Sequence, residues 1–281
     1  MFISSRVLSV IVALLLLGCM ENVLSRNAEI PSGLPSIIKI SGSDTMLLLT
    51  RKWAEEYMRE NHRVSVYTWG GGSAKGIEDL ISGKVHICAA SRPLGAEEVR
   101  LLASRYDNVG VSFAVAKEAL SIYVNSDNPV RDLSLQQLKL IFTGKLTNWK
   151  DVGGKDAPIL VLRRSSSSGT YLYFLEHVLE EEPYTSKARV YRNTRGIVRE
   201  VIDNQYAIGF GGVVYGEELH CRVEGVLPTR KNIRDGAYPI TRYLHFYTVG
   251  SPGGELKKFI DWVMAPDGQG LAEEAGYVPL W

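Results

Sequence analysis

The feature that most constrains the fold is a regular alternation of strand and helix patterns along most of the chain. Short apolar runs such as SIIKI (36–40) and PILVLRR (158–164) are typical of buried strands. Segments with apolar residues at helical spacing follow them, such as 47–61 and 134–144, and the second ends in Gly144, a common helix stop. This alternation predicts an α/β fold with mostly parallel sheets. The length of 281 residues suits two such domains.

Composition and motif content exclude several classes of protein. The formal net charge is +1 at pH 7, so there is no basic excess for binding nucleic acid. No apolar run reaches the roughly 20 residues that a transmembrane helix needs. The sequence lacks a CxxC pair, which argues against a zinc ribbon or a thioredoxin-like site. We therefore expect no metal site and no cofactor.

The first nineteen residues have the features of an export signal. Arg6 precedes an apolar stretch over 7–17, which is long enough for a signal peptide. This stretch runs into LLGC (16–19), which resembles the lipobox of bacterial lipoproteins, and the resemblance implies lipidation of Cys19 after cleavage. The alternative is an ordinary secretory signal that is cleaved elsewhere, and both alternatives export the protein. Residues 20–35 mix polar residues, Gly and Pro, and are predicted to form a flexible tether.

Cys88 and Cys221 are the two remaining cysteines. An oxidising compartment would allow them to pair. However, Cys88 lies in the apolar run VHICAA, which has the pattern of a buried strand. This favours two buried, unreactive thiols over a disulfide.

Three turns of similar composition join a predicted strand to a predicted helix. They are ISGSDTM (40–46), WGGGSAKG (69–76) and RRSSSSGT (163–170). A helix start presents unpaired N–H groups and a partial positive charge, while glycine permits a close approach of the backbone to a ligand. Since ligands bind at the carboxyl ends of strands in such sheets, the three turns together predict an anion site. Taken singly, each turn could also be an ordinary helix cap.

The third turn contains Arg164, whose planar guanidinium suits an oxyanion held by two parallel hydrogen bonds. The turn motifs, together with LSLQQLKLIFTGKLTNWKDVGG (133–154), run in the order found in a known family. Over nearly all of residues 36–281 the chain resembles the periplasmic phosphate-binding proteins of the PstS type, which deliver phosphate to an ABC importer.

This resemblance implies a type II periplasmic-binding-protein fold. In that fold, two Rossmann-like α/β domains are joined by two crossover segments, with a ligand cleft between them. The crossovers are expected near 116–120 and 238–243. Domain I would then comprise 36–116 plus 241–281, and domain II would comprise 117–240.

The resemblance also implies which residues bind phosphate. The predicted contacts are Thr45, the backbone N–H of Met46, Ser73, Arg164, Ser168, Gly169 and Thr170. Four neighbours in the same motifs are further candidates, namely Ser43, Asp44, Ser91 and Arg92.

Two positions depart from the best-known members of the family. Those members carry an aspartate where this chain has Arg92, and the aspartate accepts the proton of hydrogen phosphate and repels unprotonated sulfate. Arg92 cannot accept a proton, so Asp44 is predicted either to take that role or to pair with Arg92. The alternative for Asp44 is an Asx-type cap that points to solvent.

The second departure from the family is Ser166, which replaces an acid that holds the arginine side chain in place. Arg164 is therefore expected to be either less fixed or held in place by another residue.

The function expected from these features is the capture of inorganic phosphate by an exported solute-binding protein. It would deliver phosphate to the membrane permease of an ABC importer, act as a monomer, and lie in the periplasm or cell envelope with a lipid anchor as its only membrane attachment. A binding protein for sulfate, molybdate or tungstate and a phosphate sensor on the same fold are alternatives. A serine-dependent hydrolase is a third, although G-x-S-x-G, H-E-x-x-H and GxxxxGK[ST] are all absent.

Overall fold

The structure is a computed structural model that describes residues 36–281. The predicted signal peptide (1–19), with Cys19, and the predicted tether (20–35) lie outside the described residues. Within the described part, no helix combines the length and the apolar character needed to cross a membrane.

The described residues form alternating strands and helices, as the sequence predicts. The strands are β1 (Ser36–Gly42), β2 (Val64–Trp69), β3 (Ile87–Ala90), β4 (Val111–Val124), β5 (Asp132–Leu133), β6 (Leu160–Arg164), β7 (Arg189–Tyr191), β8 (Ala207–Gly212), β9 (His220–Val223) and β10 (Thr241–Thr248). The helices are α1 (Leu47–Glu60), α2 (Ser73–Ile81), α3 (Ala96–Tyr106), α4 (Leu135–Thr143), α5 (Gly169–His177), α6 (Thr194–Asp203), α7 (Arg230–Arg234), α8 (Gly254–Met264) and α9 (Pro266–Glu274). Two short 3₁₀ turns lie at Trp149–Val152 and Glu217–Leu219.

The ten strands form one sheet, in which eight follow the order β2-β1-β3-β10-β4-β8-β6-β7, while β9 pairs with β4 and β5 pairs with β9. Pairing is parallel between β1 and β3 and also where β6 meets β7 and β8. In contrast, β10 is antiparallel to β3 and β4, and β4 is antiparallel to β8. The expectation of a mostly parallel sheet therefore fails in the middle, because the long strands β4 and β10 run there in opposite directions.

The two largest hydrophobic clusters pack against the sheet. The first includes Trp53, Phe246 and Phe259, and the ring centroids of Trp53 and Phe246 lie 5.6 Å apart in an edge-to-face arrangement. The second includes Phe142, Phe174 and Phe210, which are fully buried. Members of the first cluster come from 38–116 and 244–277, whereas those of the second come from 119–240 plus Val278. The predicted domain boundaries themselves stay a prediction.

The ends of the helices show where the local sequence determines the helix boundaries. The N-cap of α4 is Ser134, whose Oγ accepts a hydrogen bond from the Gln137 N–H at 3.1 Å. The helix ends at Gly144 in the left-handed conformation (φ 80°), which confirms the predicted stop. Helix α5 ends at His177, and the N–H of its C-cap residue Val178 donates to the Phe174 carbonyl oxygen. Helix α9 was not predicted, because its sequence PDGQGLAEE contains two glycines and a proline.

Cys88 and Cys221 are both free and fully buried. Burial raises the pKa of the Cys221 thiol to about 12 and raises that of Cys88 further. Since the thiolate is the reactive form, both side chains are unreactive core residues, as the sequence suggested.

Candidate functional site

The second and third of the predicted turns are in direct contact. The N–H of Ala74, in the first turn of α2, donates to the carbonyl oxygen of Ser167 at 3.2 Å. A methyl group added at Gly169 would lie 2.3 Å from Ser73 Oγ and 2.7 Å from Ser91 Oγ. Glycine is therefore required at position 169 for these two turns to approach each other this closely.

The first turn is bonded to both of the others. Asp44 Oδ1 accepts a hydrogen bond from the Gly71 N–H at 3.0 Å, which links the first turn to the second. Within the first turn, Ser43 Oγ and Thr45 Oγ1 are hydrogen-bonded at 2.8 Å, and both side chains are buried. The structure thus brings the three turns to one place, as their position after β1, β2 and β6 predicts.

The N-termini of helices α2 and α5 supply backbone N–H donors at the point where the three turns meet. Helix α5 begins at Gly169, and Ser168 Oγ caps it by accepting the Tyr171 N–H at 3.4 Å. Helix α2 begins at Ser73, after Gly72 in a positive-φ conformation (φ 94°). The N–H of Met46 donates to the Ser43 carbonyl oxygen at 3.2 Å, so this predicted ligand donor already has a partner within its own turn.

Arg164, the last residue of β6, is 1% exposed and held by two side chains. Its Nη2 donates to Asp44 Oδ2 at 2.6 Å, and its Nη1 donates to Thr194 Oγ1 at 3.4 Å. Burial lowers the pKa of Arg164, although the Asp44 carboxylate acts in the opposite direction. The acid absent at Ser166 is therefore replaced by Asp44, from a turn far away in the sequence.

This pairing corrects one prediction for Asp44 and clarifies the position of Arg92. Asp44 pairs with Arg164 and not with Arg92, and it does not point freely into solvent as a simple cap. Arg92 instead donates from Nη1 and Nη2 to the Glu98 carboxylate, at 2.8 and 2.6 Å, and from Nη1 to the Pro93 carbonyl oxygen at 2.7 Å. Its guanidinium is thereby bound to the start of α3. The neighbouring Ser91 does lie in the cluster, since its N–H donates to Ser73 Oγ at 3.2 Å.

Sequence reasoning missed a second ion pair at the same place. Arg242 on β10 and Glu118 on β4 face each other across the two strands, and their side chains are 2% and 0% exposed. Arg242 donates to Glu118 Oε1 from Nε at 2.9 Å and from Nη2 at 2.5 Å. The same Nη2 donates to Thr170 Oγ1 at 3.0 Å and to Thr45 Oγ1 at 3.4 Å, so the pair joins hydroxyls of the third and first turns. Burial raises the pKa of Glu118, and Arg242 opposes this shift.

Both residues of this pair lie in the predicted crossover segments. Glu118 lies within one predicted crossover (116–120), and Arg242 lies within the other (238–243). The first segment also contains Lys117, so the sequence alone does not identify Glu118 as the partner of Arg242.

The chemistry of the site is that of a small anion receptor. Its donors are mostly neutral hydroxyls and backbone N–H groups, joined by the guanidinium groups of Arg164 and Arg242, each balanced by a carboxylate. Among the residues that the structure describes, no group of three or more metal-ligating side chains is found. The hydroxyls that converge here belong to Ser43, Thr45, Ser73, Ser91, Ser168 and Thr170.

Comparisons with known proteins agree with this chemistry. Residues 29–267 match the PBP superfamily domain. The chain is 34% identical over 248 residues to the phosphate-binding protein PstS of Bacillus subtilis, covering 86% of this chain and 80% of that protein. It is 28% identical over 273 residues to PstS of Pseudomonas aeruginosa, covering 89% and 84%.

Solved structures give the same result. A phosphate ABC transporter substrate-binding protein from Clostridium perfringens, with bound phosphate, superposes with a TM-score of 0.81 at 29% identity, covering 88% of this chain and all (100%) of that one. An ABC-type phosphate transport receptor from Vibrio cholerae superposes with a TM-score of 0.72 at 30% identity, covering 86% of this chain and 99% of that one.

Proposed function

The chain belongs to the PBP superfamily and, within it, to the PstS-type phosphate-binding proteins, and from this premise we propose that it captures inorganic phosphate for an ABC importer. The type II periplasmic-binding-protein fold predicted from the sequence is confirmed by the likeness to the solved phosphate-binding structures. One observation carries the proposal: three hydroxyl-rich turns meet around Arg164, which is 1% exposed and held by Asp44.

Binding requires that the protein replace the water shell of the anion. Hydroxyl groups, the N-termini of α2 and α5, and the Arg164 guanidinium take over those hydrogen bonds. The proposed contacts are Thr45, Ser73, Arg164, Ser168, Gly169 and Thr170, with Ser43 and Ser91 beside them. Met46 and Arg92 are left out of this set because the Met46 N–H and the Nη1 and Nη2 groups of Arg92 donate elsewhere. No bond is made or broken, so we infer that the protein is not an enzyme.

We propose that phosphate binding is coupled to closure of two domains, 36–116 plus 241–281 and 117–240. The bonds between Asp44 and Arg164 and between Ala74 and Ser167 connect these two parts and would form on closure. Strand β4 runs from one part into the other, and it pairs there with β10, whose first residue follows the second crossing of the chain; two adjacent connections suit a hinge.

The proposed place of action is the cell envelope. Export and lipidation at Cys19 rest on the sequence of residues 1–19, and the permease of an ABC importer is the proposed partner of a monomeric protein. Cys19→Ser is expected to release the mature protein from the membrane fraction. Mass spectrometry of the wild-type N-terminus would show a lipidated cysteine, whereas an unmodified N-terminus downstream of Cys19 would contradict the anchor.

Uptake by whole cells tests the transport role. In cells whose only phosphate-binding component is this chain, uptake of radiolabelled phosphate at low external concentration should depend on it, and Arg164→Ala should abolish that uptake. Undiminished uptake without the chain would rule out the transport role while leaving phosphate binding open to direct titration.

Ser73→Ala is expected to weaken phosphate binding by about 1–2 kcal/mol, because one buried hydroxyl donor is removed and Ser91 loses its partner. Isothermal titration calorimetry measures this change. Ser165→Ala is the matched control, since Ser165 is a serine of the third turn whose Oγ is hydrogen-bonded to the Ser167 Oγ at 3.0 Å, within the same loop. Equal affinities for Ser73→Ala and the wild type would place Ser73 outside the ligand site.

A further inference from the structure

The buried pair of Glu118 and Arg242 leaves one polar atom of each residue unused. Both residues are nearly inaccessible, with side chains 0% and 2% exposed. Among the described residues, Glu118 Oε2 and Arg242 Nη1 have no hydrogen-bond partner. Buried polar atoms are rarely left unsatisfied in a folded protein, and an unpartnered charged group at a binding site indicates a missing partner such as a ligand.

The unused carboxylate oxygen lies beside the proposed phosphate contacts. Arg242 Nη2, which Glu118 Oε1 binds, also contacts hydroxyl oxygens of Thr45 and Thr170. A methyl group added at Gly212 would lie 2.7 Å from Glu118 Oε2 and 3.7 Å from Thr45 Cβ, so this oxygen and the first turn both lie beside Gly212. A ligand in contact with the Thr45 hydroxyl is therefore close to Glu118.

Resting on the proposed function, we propose that Glu118 Oε2 accepts the proton of hydrogen phosphate and thereby selects protonated oxyanions over sulfate. A carboxylate oxygen can only accept a hydrogen bond, and phosphate near neutral pH carries an O–H group whereas sulfate has none. Arg242 balances the charge of Glu118, so the carboxylate need not repel the anion. Asp44 is less suited to this role, since its two oxygens already accept from Gly71 and Arg164.

The test is Glu118→Gln, titrated calorimetrically with phosphate and with sulfate. Because Arg242 donates twice to Oε1, the glutamine oxygen should occupy that position, which leaves its NH₂ group where Oε2 was. An acceptor thus becomes a donor. We expect phosphate affinity to fall at least about tenfold, while sulfate affinity stays the same or rises.

The direction in which the two affinities change distinguishes a proton acceptor at Glu118 from a simple effect of its negative charge. Removal of a negative charge beside an anion should strengthen the binding of both anions. If both affinities rise together, or if the ratio of phosphate to sulfate affinity is unchanged, Glu118 is not the acceptor. Asp44→Asn is the matched control. It should weaken the binding of phosphate and of sulfate to the same extent, because Asp44 acts through Arg164.

A second variant keeps the test decisive if Glu118→Gln does not fold, which thermal melting would reveal. Gly212→Ala keeps both charges and places a methyl group against Oε2. It should reduce the preference for phosphate over monofluorophosphate, an anion of similar shape that lacks the O–H group. An unchanged preference would overturn the role of Glu118. If wild-type protein binds no phosphate at all, it is the proposed function that fails.

Discussion

Replacement of Arg164 by alanine is expected to weaken phosphate binding by about 3 kcal/mol, or more than a hundredfold, because a buried, hydrogen-bonded charge is lost. Arg164 is 1% exposed and donates to Asp44 Oδ2 at 2.6 Å. Without it, the Asp44 carboxylate has no counter-charge and repels the incoming anion. The loss should therefore exceed that of a single neutral hydrogen bond, and isothermal titration calorimetry can measure it.

The neighbouring Arg163→Ala provides the control for this measurement. The Arg163 guanidinium lies over the rings of Tyr171 and Tyr184, 5.4 and 5.8 Å from their centroids, outside the hydroxyl cluster. Its removal deletes the same charge from the same strand but should leave phosphate affinity close to that of the wild type. Equal losses of phosphate affinity in the two variants would mean that only the positive charge of this strand matters, and that Arg164 does not contact the ligand.

The second large effect is expected from Gly169→Ala. The added methyl group would lie 2.3 Å from Ser73 Oγ and 2.7 Å from Ser91 Oγ, which is closer than atoms can approach. Relief of this overlap must separate the second and third turns, at a cost of about 1–3 kcal/mol in phosphate affinity. Small-angle scattering with saturating phosphate should also show a less compact protein than the wild type.

Gly270→Ala is the control for Gly169→Ala. Gly270 lies in helix α9, and a methyl group there would meet no atom within 4 Å. This variant should bind phosphate normally and melt at a slightly higher temperature, since alanine is the better helix former. If Gly169→Ala binds phosphate as tightly as Gly270→Ala does, the two turns do not need to meet around the ligand.

The site could be predicted from the sequence wherever its parts are local. Each of the three turns combines Gly with Ser or Thr between a strand and a helix, and such turns necessarily lie at the strand ends where ligands bind. The three turns were identified in this way, whereas Ser73 and Gly169 were predicted as contacts from the family resemblance. The alternation of strand and helix patterns likewise fixed the fold class, because each pattern depends only on neighbouring residues.

The parts that were not predicted depend on long-range pairing. Nothing local at Asp44 indicates that its partner is Arg164, since the chain must fold before the two turns meet. Glu118 and Arg242 each look like one polar residue in a strand, and only the antiparallel pairing of β4 with β10 shows that they face each other. The same pairing explains why the sheet is less parallel than expected.

The arrangement of charges also bears on how the site can discriminate between anions. Both arginines are balanced by carboxylates, so neutral donors held in fixed positions supply the remaining hydrogen bonds to the anion without adding charge. Such donors need the geometry of one ligand, whereas free charge would attract any anion. Selectivity would then depend on the acceptor and on the spacing of the donors more than on net charge.

The most direct test of phosphate capture is calorimetric titration of the ligand-stripped protein with phosphate, sulfate and tungstate under identical conditions. We expect one saturable site for phosphate, with sulfate and tungstate bound at least about a hundredfold more weakly, because a site built around an O–H group rejects ligands that lack it. Absence of phosphate binding, or tighter binding of sulfate or tungstate than of phosphate, would contradict the assignment of this protein to phosphate capture.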